Sequence, residues 1–312
     1  MTITQLQYVL AVAEHQNFTK AAKKSFVTQP TMSMQIQKLE EELDILIFDR
    51  SKKPITLTEI GEKIIIQARK IVNEANRMQD IVDQEKGYIG GEFSLGIIPT
   101  VMPTLLPMFL KHFNKRYPKV QLRIEELNTQ EIISQLKDGY LDAAIAATPL
   151  NDENIKELLL YYEPFVGYIP ENHRLRTKAK ITPEDLNLQD ILLLEDGHCF
   201  RDNIMNICKA SRREPSDSFQ LHSGSFETLL KLSDEGMGMT LLPYLHTLDL
   251  SKERKKNLKS FESPQPAREI SLLYNKSELK IQIIKALNEV LLSVIRGAIN
   301  FYDVKIISPI KE

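Results

Sequence analysis

The sequence predicts an α/β protein with a separate all-helical unit at its N-terminus, and three observations lead there. The first 58 residues hold apolar side chains at helical spacing, the stretch from Glu59 to Lys86 keeps one apolar stripe without a helix breaker, and from Phe93 onward short apolar runs alternate with amphipathic segments. Such alternation builds a parallel sheet covered by helices on both faces. At 312 residues, 42% of them hydrophobic, the chain is long enough for two or three domains with buried cores. It has no apolar run of ~18 residues, the length a membrane span needs. It also has no basic-then-apolar leader, and only two cysteines. These features predict a soluble protein of the reducing cytoplasm.

In the first unit Leu6, Val9, Leu10 and Ala13 mark one helix, and Asn17 to Lys24 a second. Thr28 can cap a third, with Pro30 in its first turn, where a missing N–H costs nothing. On that helix Met32, Ile36, Leu39 and Leu43 share the face expected to be buried, whereas Thr31, Met34, Gln35 and Lys38, with Gln29 and Ser33 beside them, face away. Short helices, a tight turn at Ser25-Phe26-Val27 and a polar following helix match a helix-turn-helix, whose second helix enters the major groove. Gln, Ser and Thr can read base edges there, and Met34 can touch a thymine methyl. Ile47-Phe48-Asp49-Arg50, Ser51-Lys52-Lys53-Pro54 and Thr56 to Gly61 read as a short basic hairpin followed by a capped helix start. As a wing, it would bring Arg50, Lys52 and Lys53 to phosphate. The candidate DNA-binding residues are therefore Gln29, Pro30, Thr31, Ser33, Met34, Gln35, Lys38, Arg50, Lys52 and Lys53.

Charge constrains this reading, because residues 1–58 hold seven Lys/Arg against six Asp/Glu and the chain has net charge −2. Binding must rest on arrangement, with Lys20, Lys23, Lys24, Lys38, Arg50, Lys52 and Lys53 on one side and Glu40, Glu41, Glu42 and Asp44 elsewhere, and on dimerisation. From Glu59 to Lys86, Ile64, Ala68, Ile71, Ala75, Met78 and Val82 repeat at steps of four and three, a coiled-coil seam. Packing against its own domain is the alternative, but so long a stripe favours a dimerisation helix. Gly87, Gly90 and Gly91 then end the helix. The expected divisions are 1–58 for the helix-turn-helix unit, 59–86 for a linker helix, 87–91 for a hinge and 92–312 for the α/β part. In the last, strands are expected at Phe93–Ile98, Val120–Glu126 and Ala143–Ala147, with helices at Pro103–Tyr117 and Gln130–Asp138. Similar signals recur at Ile191–Leu194, Phe226–Glu235, Met239–Leu242 and Ile270–Tyr274, before a helix over Ile281–Arg296.

The two cysteines, Cys199 and Cys208, flank a segment read as a helix over Arg201–Arg212, with Ile204, Ile207 and Cys208 on its inner face. Cys199 would stand at the helix N-terminus with His198 and Arg201 close by, and a dipole and cations lower a thiol pKa. Cys208, facing inward, would be a quiet buried thiol. Two readings stand: a redox pair, or two small core residues. If the pair is joined, nine helical steps of ~1.5 Å, roughly 13 Å in all, must contract to within about 7 Å, so the segment would have to unwind.

Several runs carry a resemblance. Gly197-His198-Cys199, Arg201-Asp202 and Cys208 resemble, at the same spacing, the redox-active loop of the OxyR peroxide sensors, a branch of the LysR-type transcriptional regulators. Ala21-Ala22, Thr28-Gln29-Pro30-Thr31 through Gln35-Ile36, Phe48-x-Arg50 and Leu57-Thr58-x-x-Gly61 are similar to the LysR-type winged helix. The resemblance implies a periplasmic-binding-protein-like effector domain of two α/β subdomains, one of residues 92–163 with 268–302 and one of 164–267. It implies that Cys199 is the peroxide-reactive thiolate, that Cys208 resolves it to a reversible disulfide, and that His198, Arg201, Asp202 and Arg268 support this chemistry. Thr100, Thr129, Gly197 and His198 would hold peroxide, although each threonine alone reads as a helix cap and Arg268 alone as a surface ion pair to Asp202 or Glu269. Gly224 and Gly236-Met237-Gly238-Met239 look like family turns. The departures are Met34, Phe200 and Ala267.

As implied partners, the resemblance gives double-stranded promoter DNA, hydrogen peroxide, RNA polymerase, further copies of the chain as a dimer of dimers, and a glutaredoxin or thioredoxin as reductant. It gives a cytoplasmic activator of oxidative-stress genes with no cofactor, and the cysteines with one nearby histidine fall short of a zinc site. Two other classes remain: a LysR-type regulator answering a small organic metabolite, with inert cysteines, and a thiol peroxidase, which unlike a sensor would turn over many equivalents of peroxide.

Overall fold

The computed structural model describes residues 1–85, 89–195, 197, 199–208, 223–299 and 304–309. They form two compact units. The first opens with α1 (Ile3–His15), α2 (Phe18–Lys24) and α3 (Gln29–Leu43). Each begins with a side-chain cap of the kind that satisfies free helix N–H groups: Thr2 from Gln5 N, Asn17 from Lys20 N and Thr28 from Thr31 N. Phe26 makes the turn before α3 at φ +55° and is 94% exposed. Leu6, Val9, Met32, Ile36 and Leu39 are buried together, whereas Leu43, expected on that face, is exposed because the helix ends there. The hairpin β1 (Phe48–Asp49) and β2 (Thr56–Leu57) is antiparallel, as a wing requires.

Thr58 then caps α4 (Glu59–Glu85) through Gly61 N. A Cβ on Gly61 would meet the carbonyl oxygen of Ile47 at 2.1 Å, so only glycine lets the helix start so close to the wing. The expected single seam is corrected here. Ile65, Ala68 and Val72 are buried in the unit's own core, and the exposed apolar residues are Ile60, Ile66, Met78, Ile81 and Val82. The beginning of the helix thus packs on its own domain, and an uncovered apolar surface persists toward its end.

The second unit runs β3 (Gly91–Ile97), α5 (Met102–Arg116), β4 (Val120–Glu126), α6 (Thr129–Asp138), β5 (Ala143–Thr148), β6 (Ile155–Tyr168), a 3-10 turn at Pro183–Asp185, and α7 (Cys199–Ile207). It continues with α8 (Phe226–Asp234), β7 (Thr240–Pro243), α9 (Tyr244–Leu248), α10 (Lys252–Lys255), β8 (Leu258–Ser260), β9 (Gln265–Asn275), α11 (Ile281–Ile295) and β10 (Val304–Ile306). The sheet order is β4-β3-β5-β9-β6-β7, with β10 on β9 and β8 on β6. Among the named strands of the described residues, β4-β3-β5 and β10-β9 pair in parallel and β9 is antiparallel to β5 and β6, so the expected parallel sheet is a mixed one. Ile191–Leu194 is not a strand but a single bridge, Ile191 to Met239.

Two apolar cores lie in this unit. One gathers Phe93, Ile97, Phe109, Phe113, Ile145, Leu272 and Leu287; the other gathers Tyr168, Ile191, Ile204, Leu230, Leu241 and Phe261. Each fully buried side chain of this size contributes about 2 kcal/mol of apolar burial. The long strand β6 enters both, with Leu160 and Tyr161 in the first and Phe165 and Tyr168 in the second.

Candidate functional site

The start of α7 sits where the cores meet. Cys199, its first residue, is 7% exposed and packs in the first core; Phe200 is fully buried in the second, against Phe165 and Phe226 at 5.2 and 5.1 Å. Gly197 makes the approach at φ +95°, a conformation that side chains resist. The expected helix starts two residues earlier than its apolar spacing suggests; positions 209–212 of that expectation, and His198, lie outside the described residues.

Beside the thiol lies a charge pair that sequence reasoning missed in part. Glu163 on β6 and Arg268 on β9 are register partners, 1% and 0% exposed. Arg268 gives Nε and Nη2 to Glu163 Oε2 at 3.0 and 2.8 Å, Nη1 to Thr100 Oγ1 at 2.8 Å and Nη2 to the Thr100 carbonyl at 3.2 Å. Its guanidinium also faces the Phe200 ring at 5.1 Å, and Glu163 Oε1 accepts the Leu245 N–H at 2.9 Å. Arg268 is therefore a fully buried cation with Glu163 as counter-ion, which overturns the surface pair to Asp202 or Glu269. A carboxylate in the otherwise apolar Leu158–Tyr168 run was the available signal, since a buried acid needs a buried base. Tyr161 Oη, buried without a hydrogen-bond partner among the described residues, keeps its proton through burial and the Glu163 charge.

Both threonines are released from capping. Val101 occupies the cap position of α5, leaving Thr100 to hold Arg268. Asn128 caps α6 by accepting Glu131 N and donating its own N–H to the Glu131 carboxylate, both at 2.9 Å. Thr129 Oγ1 is left buried without a regular hydrogen bond, near enough to Cys199 to favour its thiolate.

Burial pushes the Cys199 thiol above its ordinary pKa, Arg268 and Thr129 pull it back, and Asp202 adds to the rise. The expected lowering is thus corrected: the helix start and the cation are present, but desolvation outweighs them. Arg201, expected to assist the sulfur, donates to the Leu194 carbonyl at 2.9 Å, and Asp202 opposes the anion. Cys208, half-buried against the second core, is pushed up to about 11 by burial and the Asp190 carboxylate. Ala267, one of the departures from the resemblance, is fully buried.

On the N-terminal unit Gln29, Pro30, Thr31, Met34 and Lys38 are exposed along α3, with Ser33 and Gln35 half-buried. Gln5 reaches Gln35 Oε1 at 3.4 Å. Lys20, Lys23, Lys24, Lys52 and Lys53 are exposed, Lys52 standing 3.6 Å from Asp49. Arg50 differs from expectation. Its Nη2 meets Glu40 Oε2 at 2.7 Å and its guanidinium lies 5.3 Å from the Phe18 ring, so its charge is already matched. Glu40, expected to look away, is 4% exposed and accepts the Ile47 and Phe48 N–H groups.

Comparison with known proteins fits this geometry. Residues 3–62 match the model of the bacterial regulatory helix-turn-helix proteins of the lysR family, and residues 86–296 match the LysR substrate binding domain. The chain is 34% identical over 277 residues to a hydrogen peroxide-inducible genes activator of Pectobacterium carotovorum subsp. carotovorum, covering 88% of this chain and 90% of that one. It is 32% identical to the DNA-binding transcriptional dual regulator OxyR of Escherichia coli (strain K12), covering 88% and 89%. Full-length OxyR C199D from Pseudomonas aeruginosa superposes with TM-score 0.78 at 32% identity over 94% of this chain and 98% of that one. An H2O2-bound mutant of Corynebacterium glutamicum OxyR gives 0.63 at 28% identity over 95% and 93%. The chain belongs to the LysR family of helix-turn-helix regulators and is an OxyR-like member of it.

Proposed function

We propose that this OxyR-like regulator senses hydrogen peroxide through a reversible Cys199–Cys208 disulfide and changes its hold on promoter DNA in response. The observation that carries the reading is Arg268, a buried cation that favours the Cys199 thiolate while fixing Thr100 at its side. The thiolate attacks one peroxide oxygen, the O–O bond breaks and the leaving hydroxide takes up a proton equivalent to the one the Cys199 thiol had given up, becoming water, with Cys199 oxidised to a sulfenic acid. The Cys208 sulfur then attacks the Cys199 sulfur, its proton goes to the departing hydroxyl, and a second water leaves behind the disulfide. Thr100, Thr129, Gly197 and His198 orient the peroxide; Arg201 holds the loop and Asp202 the first turn of α7.

The domain divisions follow: residues 1–58 on DNA through Gln29, Pro30, Thr31, Ser33, Met34, Gln35, Lys38, Lys52 and Lys53, and 59–86 as the dimerisation helix, supported by exposed Met78, Ile81 and Val82. Residues 92–163 with 268–302 form one lobe and 164–267 the other, each built mainly on one core, with Cys199 and Leu245 reaching into the first. The working assembly is a cytoplasmic dimer of dimers that engages RNA polymerase and is reset by a glutaredoxin or thioredoxin. The test is to reduce the protein anaerobically, add equimolar peroxide for seconds, alkylate, and read both cysteine peptides by mass spectrometry. A Cys199–Cys208 bridge is expected, and it is lost in Cys199→Ser; two freely alkylated thiols would leave a regulator answering an organic ligand.

A further inference from the structure

The segment after α11 returns to the redox helix. β10 lies parallel to β9 beside Gln265–Ala267, and the Ile307 N–H continues that pairing to the Ala267 carbonyl at 2.8 Å. The next two carbonyls are taken by side chains of α7. Asn203 Nδ2 donates to the Ile307 carbonyl at 2.9 Å, and Asn206 Nδ2 to the Ser308 carbonyl at 2.9 Å. Ile307 packs on the second core and Pro309 is buried, so residues 304–309 form a strap between α7 and the strand that carries Arg268. Asn203 is fully buried with Oδ1 unpartnered among the described residues, and an amide buried at that cost owes its place to the bond that it does make.

The clamp depends on helical geometry. Asn203 and Asn206 are three residues apart on one face of α7, a rise of about 4.5 Å, close to the ~3.3 Å between successive residues of an extended strap. Extended, the same three residues span about 10 Å and cannot hold adjacent carbonyls. Both asparagines lie between Cys199 and Cys208, within the stretch that must unwind for the sulfurs to meet.

We propose that Asn203 and Asn206 are positioning residues that lock α7 in its reduced form by holding the 304–309 strap, and that disulfide formation frees the strap from α7. This rests on the redox reading above. In the full-length protein equilibrated with glutathione and its disulfide, two thiols convert to the bridge as one oxidised glutathione becomes two reduced ones. Asn206→Ala should shift that equilibrium about fivefold toward the bridge, the weight of one ordinary hydrogen bond, and the Asn203→Ala/Asn206→Ala pair further. Should burial of Asn203 make that variant misfold, Asn206→Ala alone carries the test. Hydrogen exchange across 304–309 should speed up on oxidation of the wild type and, without oxidation, in the variants. A bridge that forms with unchanged equilibrium and unchanged strap protection would overturn the strap proposal and leave the sensor standing. Absence of any bridge in the wild type would bring down the sensor reading, and the coupling with it.

Discussion

The molecule uses the same device twice, with different results. In the N-terminal unit Arg50 pairs with a buried Glu40 and covers the Phe18 ring; in the second unit Arg268 pairs with a buried Glu163 and covers the Phe200 ring. Both glutamates also accept backbone N–H groups, from Ile47 and Phe48 in one case and Leu245 in the other. The arginines differ in solvent. The Arg50 side chain is 39% exposed, so water screens it and the pair acts as a staple for the wing. The Arg268 side chain is 1% exposed, and its unscreened charge reaches the titratable groups around it, Cys199 and Tyr161. Burial, together with a thiol at its side, separates a site that can tune a thiol from a structural clasp.

The comparison can be broken from its strongest side first. Arg268→Met strands the Glu163 carboxylate in the interior and should cost about 3–5 kcal/mol of stability in urea unfolding, a loss typical of a broken buried pair. It should also slow the reaction of Cys199 with peroxide. Glu40→Ala removes the acceptor for two buried N–H groups and should cost about 1–3 kcal/mol by the same measurement. Glu163→Gln keeps the shape but removes the anion that competes for Arg268, so Cys199 becomes the counter-ion. Its alkylation rate should rise, and its pH profile move down relative to the wild type. If the profile stays put, Arg268 does not act on the sulfur. Arg50→Ala, on the screened side, should cost no more than about 1 kcal/mol.

The pH dependence of the thiols sharpens the same contrast. Alkylation requires the thiolate, and burial holds the Cys199 pKa above its ordinary value. Its rate should therefore keep climbing through the pH range where a free thiol levels off. Cys208, pushed up to about 11, should stay nearly unreactive near neutrality. A plateau for Cys199 near neutral pH would mean that Arg268 outweighs desolvation.

Which of these features could be read in advance depends on how far apart their partners lie. The Thr28 cap acts within three residues of itself, so the helix-turn-helix is visible as local chemistry, whereas α7 starts at Cys199, two residues before the point its apolar spacing marks. Strand β6 escaped notice because Lys156, Glu157, Glu163 and Pro164 interrupt its apolar pattern; its existence depends on pairing with β9 more than a hundred positions away. The long stripe on α4 was read as one seam because periodicity reports a face but not what covers it.

By itself the sequence determined the order of the units, the Thr28 and Thr58 caps and the family to which these motifs point, since each is local geometry or a contiguous motif. Only the tertiary structure decided that Arg268 is buried rather than at the surface, that Glu163 faces it, that Thr100 and Thr129 are released from capping, and that residues 304–309 are strapped to α7. Those outcomes depend on which distant groups share a solvent-free space. Desolvation, which sets the strength of every charge there, is a property of that space and not of any stretch of chain.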